Sequence, residues 1–211
     1  MIKELKDYLN NDHTFSFKKM MEIIFLIVVI SGFFGWIYEF IFYYFNGGMQ
    51  KFYWRGGNFL PWINVYATGS VIIFLLTYKI RKKPMLVFLL SGISTGILEY
   101  FSRYMMLNIL HKKCWDYTTD ILNFGNIDGF VCLRSVLVFS FSALLLMYVV
   151  VPLIFKLAKK LNDKTFTILA VTLFSIIMFD EFYNLLISRV FSLPRAYDVY
   201  KKIGFNYVHF K

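Results

Sequence analysis

Three glutamates carry the first chemical signal in this chain. Glu39, Glu99 and Glu181 each stand about fifteen residues into a long, almost uncharged apolar run. An ionised carboxylate in hydrocarbon costs several kcal/mol unless it is paired or hydrated. At ~1.5 Å of helical rise per residue, each acid would lie about 23 Å from the start of its run. Three acids at one depth point to a shared polar cavity in the outer part of a bilayer. Arginines are placed to meet them. Arg55 and Arg134 stand at the entrances of the intervening runs, and Arg103 follows Glu99 at the i, i+4 spacing that lets an acid and a base share one helical face.

These residue types suit recognition of a small charged group. The arginine fork holds a carboxylate or phosphate at two points, and carboxylates hold a cation or an amine. The candidate binding set is Glu39, Arg55, Glu99, Arg103, Arg134, Asp180 and Glu181, with Trp115, Asp116 and Asn126 at the rim and Asp128 and Asn184 close by. Two other uses stay open. An acid kept from water has a raised pKa and can transfer protons near neutral pH, and the same residues could be ion pairs that lock helices together.

No metal centre is expected, because His13, His111 and His209 are scattered and no His-x-x-x-His or Cys-x-x-Cys spacing occurs. An all-carboxylate site for a hard cation remains open. Gly47-Gly48 and Gly56-Gly57 lack the lysine and spacing of a phosphate-binding loop, so no cofactor is expected and ATP hydrolysis would need another subunit. Cys114 and Cys132 read as two small apolar thiols, with a disulfide as the alternative.

The elements that must position these groups follow from composition. Apolar residues make up 58% of the chain and charged residues 17%, which is too apolar for an ordinary water-soluble domain. Runs at residues 22–45, 58–78, 84–110, 129–155 and 165–191 are long enough to cross the bilayer as helices and too long for barrel strands. The expected fold is an all-α polytopic membrane bundle of five transmembrane helices. It divides into a cytoplasmic segment (1–20), a transmembrane domain (21–191) and an amphipathic tail on the outer surface (192–211). Lysine and arginine cluster before the first run, between the second and third, and between the fourth and fifth, which places the N-terminus in the cytoplasm and the C-terminus outside. The net charge of +10 then faces anionic lipid, and no extramembrane part is long enough to bind nucleic acid.

Ser31-Gly32 precedes Glu39-Phe40 by the same interval that separates Ser91-Gly92 from Glu99-Tyr100. Trp54-Arg55 and Trp115-Asp116 then open the next elements at nearly the same spacing. This reads as a tandem helical hairpin, whose small residues would let helices approach closely.

These residues also carry a family resemblance. Gly35-Trp36-x-x-Glu39, Arg55-Gly56 with Pro61, Tyr66 and Gly69, then Glu99, Trp115-Asp116-Tyr117 and Asn126-x-x-Gly129-x-Val131-Cys132-Leu133 resemble, in order, the type IV ABC-transporter (CmpB-like) membrane family. The likeness covers roughly residues 31–135. Leu60, Asn64 and Ala67 stand where the resemblance implies a glycine, a proline and a glycine, and the tryptophan expected soon after Ser135 is missing. The resemblance implies a multi-pass, transporter-like protein. The expected role is binding or moving a small charged solute or lipid head group as a permease-like subunit of the cell membrane, with a homodimer or a partner transport subunit completing it. The competing roles are an enzyme acting on lipid or cell-wall precursors through a glutamate acid or base, and a non-catalytic assembly or regulatory factor.

Overall fold

A computed structural model describes residues 2–11, 15–46, 54–109, 111 and 115–204. It contains the helices α1 (Ile2–Asn10), α2 (Phe17–Asn46), α3 (Asn64–Thr77, extended by a 3₁₀ turn to Ile80), α4 (Pro84–Asn108), α5 (Leu133–Lys160), α6 (Asp163–Val190) and α7 (Ala196–Lys202). Among the described residues there is no strand; Ile127 and Val131 form an isolated antiparallel bridge.

Four helices, α2, α4, α5 and α6, are long and apolar enough to cross a membrane. The fifth expected span is shorter, because α3 with its 3₁₀ turn begins only at Asn64. The residues expected to start it, from Asn58 to Ile63, are not helical. Pro61 disfavours helical backbone at the residue before it, and polar partners described below take up the backbone groups of this stretch.

The burial pattern of α4 shows what solvent these helices are built for. Val87, Ser91, Thr95, Glu99 and Arg103, spaced four apart, are buried, while Leu89, Ile93, Ile97 and Phe101 on another face are exposed. Polar groups inside and large apolar groups outside invert the pattern of a water-soluble helix. Lipid is the medium that suits such a surface.

Two compact units make up the fold, one of the described residues up to Val71 together with those from Val151 to Gly204, the other of the described residues within Ile72–Val150. In the first, α2 packs along α6, with Phe25 stacked on Phe174 at 4.1 Å. The two helices start at the same end: Lys19 pairs with Asp163 at 2.6 Å and Thr167 donates to the buried Glu22 at 2.7 Å. Asn162 caps α6 by accepting from the Thr165 amide. The amphipathic α1 lies on the last turns of α5, through Tyr8 and Phe155 and the pairs Glu4–Lys156 (2.6 Å) and Asp7–Lys159 (2.7 Å).

Gly32, at the midpoint of α2, admits the indole of Trp62, whose Nε1 donates to the Val28 carbonyl at 3.1 Å. The Ile63 amide donates to the Gly32 carbonyl at 3.1 Å. A Cβ at Gly32 would overlap the buried indole ring directly. Alanine is intrinsically better than glycine in a helix by about 1 kcal/mol, yet overpacking against a hydrogen-bonded tryptophan outweighs that gain. Gly32→Ala is expected to lower stability by about 1–3 kcal/mol net, read as a lower melting temperature in detergent; a raised one would contradict this packing.

In the second unit, α4 packs on the first part of α5. Gly92 lies against Ser140, and Phe88 meets Phe141 edge-on at 5.1 Å. Each unit therefore uses a glycine of the Ser-Gly pair named above for a close approach. Residues 115–132 precede α5 and turn back through the Gly129 carbonyl, which accepts from Tyr117 N at 3.0 Å. Gly129 has φ +73, and a side chain there would collide with Asp116.

Candidate functional site

The site residues of the first unit gather around the non-helical residues 54–63. Arg55, 3% exposed, donates from Nε to Glu39 at 2.9 Å and lies over the Tyr43 ring at 3.8 Å. Farther along, the Asp180 carboxylate accepts two backbone N–H groups, from Phe59 at 3.0 Å and Leu60 at 2.7 Å. Glu181 accepts the side-chain amides of Asn58 at 2.6 Å and Asn64 at 2.9 Å. Because Arg55 lies beside the C-terminal half of α2 and Ile63 beside its midpoint, this stretch runs along α2 without helical hydrogen bonds of its own. Non-helical backbone at membrane depth persists only where protein satisfies its polar groups. Here the Asp180 side chain of α6 and the Gly32 carbonyl of α2 do so.

A π-helical turn, Tyr183–Ile187, follows the two acids in α6. Asn184 within it donates to the Asp180 side chain at 2.8 Å and accepts from Ala196 N at 2.8 Å. That second bond anchors α7, which lies in the expected surface tail. Tyr200 of α7 donates to the Phe59 carbonyl at 2.6 Å, and its ring meets Trp54 at 4.9 Å. Burial first, and then the Asp180 charge, push the Tyr200 phenol above its ordinary pKa, so it remains a donor.

The second unit holds its own cluster. Glu99, 7% exposed, accepts from the hydroxyl of Tyr117 and from Ser135 Oγ at 2.7 Å. Arg134 donates to Asp120 at 3.3 Å and faces the Tyr117 ring at 5.2 Å. Asp116 accepts from the amide of Thr118 at 3.1 Å and from its hydroxyl at 2.5 Å. Trp115 Nε1 donates to the Phe130 carbonyl at 2.9 Å, and Asn126 accepts from Gly129 N at 2.7 Å. Arg103 is buried with its guanidinium 5.3 Å from the Phe130 ring centroid.

The candidate residues thus divide: Glu39, Arg55, Asp180 and Glu181 fall in one unit, and Glu99, Arg103, Trp115, Asp116, Asn126 and Arg134 in the other. The i, i+4 pair expected between Glu99 and Arg103 does not form among the described residues, because hydroxyls of the returning segment occupy the Glu99 carboxylate. Sequence reasoning missed Asn58, Asn64, Asp120 and Ser135. The two asparagines are polar interruptions in an apolar run, a readable signal; Ser135 carries none beyond its place next to Arg134, and Asp120 carries none. Cys132 is buried, whereas Cys114, His13 and His209 lie outside the described residues. No group of His, Cys, Asp and Glu among the described residues is arranged to hold a metal ion.

Charges enclosed by helices whose outer faces are apolar define a multi-pass α-helical membrane protein. Residues 24–185 match the sequence model of the family described as "Putative ABC-transporter type IV", and the chain belongs to that family. It is a membrane transporter-like protein. Searches of curated proteins and of solved structures gave no significant match.

Proposed function

We propose that the protein is a permease-like subunit that binds and moves a small charged solute or a lipid head group, and that residues 54–63 are its working part. The observation that carries this reading is a non-helical stretch between apolar helices, held beside α2 by Glu39, Asp180 and Glu181. Transport proteins place their binding sites at such breaks, where free backbone groups and half-helix ends meet the cargo. Local hydrogen bonds between side chains and backbone are also easier to exchange than a helical ladder. Few spans are present for a complete carrier, so a second copy or a partner subunit completes the path, and that partner supplies the energy. The N-terminus faces the cytoplasm in this reading, with the acids toward the outer leaflet.

The test is flux in proteoliposomes across a panel of small charged solutes and labelled lipids, for the wild type and Glu181→Gln. The wild type is expected to move at least one of them. Glu181→Gln keeps one acceptor for Asn58 or Asn64 and should fold, with flux about tenfold slower, the consequence of losing ~1.4 kcal/mol of charge-assisted bonding. Chemical conversion of a lipid in detergent, without flux, would overturn this reading in favour of an enzyme.

A further inference from the structure

Arg103 is a candidate whose chemistry the fold leaves unfinished among the described residues. It is 2% exposed, and neither its Nε nor its Nη1 meets a hydrogen-bond acceptor. No carboxylate pairs with it among the described residues; the nearest acid in sequence, Glu99, serves Tyr117 and Ser135 instead. The Phe130 ring offers a cation–π contact, which favours the charge but accepts none of the N–H groups in its plane. Arginine stays protonated in any protein environment, so it cannot escape this burial by losing its proton. A buried charge without partners is strongly destabilising and persists where something else supplies the counter-charge.

We propose that Arg103 binds the oxygens of an anionic phosphate group, carried by a lipid head group or by a free solute. The guanidinium, with Nε and Nη1 lacking acceptors, offers N–H donors to the oxygens of such a group. The Phe130 ring behind it holds the plane in place, and Trp115 fixes Phe130 through its carbonyl. This deepens the transport reading, on which it rests for its purpose, by assigning the cargo a negative charge.

The experiment uses the full chain, delipidated in a sugar-headgroup detergent with chloride as the only other small anion. One arm titrates inorganic phosphate, the other mixed micelles with phosphatidylglycerol, and both follow the melting temperature, which rises when a ligand binds the folded state. Wild-type protein is expected to be stabilised in at least one arm; a response to phosphate alone marks a free solute, and a response to the lipid alone marks a head group. Arg103→Met should abolish the response while melting, without ligand, at or above the wild-type temperature. Arg103→Lys keeps the charge but loses the fork, and should weaken binding by at least about tenfold. An anion response unchanged in Arg103→Met, no response of the wild type in either arm, or an Arg103→Met protein that fails to fold would each overturn the assignment. Because binding is read without flux, an Arg103-dependent response in a protein that moves nothing would support this site and sink the transport reading instead.

Discussion

Asp180→Ala is expected to cost about 3–6 kcal/mol of stability, the sum of two charge-assisted hydrogen bonds at ~1.5–3 kcal/mol each. The Asp180 carboxylate accepts from the amides of Phe59 and Leu60, and it is 7% exposed. Alanine would leave both N–H groups at membrane depth with no acceptor, and Asn184 would lose a side-chain partner as well. Asp180→Asn should recover about half, since one amide oxygen still accepts while the NH₂ group faces a donor. Titration with a denaturing detergent in mixed micelles measures this directly. A loss below about 1 kcal/mol for alanine would mean that water or another group satisfies those amides.

The second large effect concerns Glu39 and Arg55, with side chains 15% and 4% exposed. Removing one member of a buried pair strands the other, at a cost of about 3–5 kcal/mol, whereas replacing both by apolar groups is often neutral. Arg55→Met and Glu39→Met should each be strongly destabilising, Arg55→Met more so because it also removes the contact with Tyr43. The double variant should recover most of the loss. Unfolding midpoints for the four proteins give the coupling energy. Additive losses would show that the two residues act independently and that their 2.9 Å contact contributes little.

The sequence made the helices, and the need of their acids for polar partners, readable because hydrocarbon penalises charge so heavily. A lone Glu39 or Glu99 in an apolar run has few explanations, and each acid has well-defined polar partners in the fold. What could not be read was which partners. Residues 58–78 read as one apolar run long enough to span, yet Asn58, Phe59 and Leu60 are captured by acids more than a hundred residues away in sequence. Local periodicity does not carry such pairings. The i, i+4 rule likewise proposed Arg103 for Glu99, since it could not weigh the competing hydroxyls of Tyr117 and Ser135. The tail's mixture of tyrosine and lysine points to a membrane surface, but that composition does not name the groups it meets, Phe59 for Tyr200 and Asn184 for Ala196.

Hydrogen–deuterium exchange at the Phe59 and Leu60 amides, with the protein in lipid nanodiscs, tests the central claim most directly. If the Asp180 carboxylate holds this non-helical stretch beside the middle of α2, both amides exchange as slowly as those of α2 itself, and Asp180→Ala releases them by orders of magnitude. Wild-type amides exchanging as fast as an exposed loop, with no change in Asp180→Ala, would contradict it.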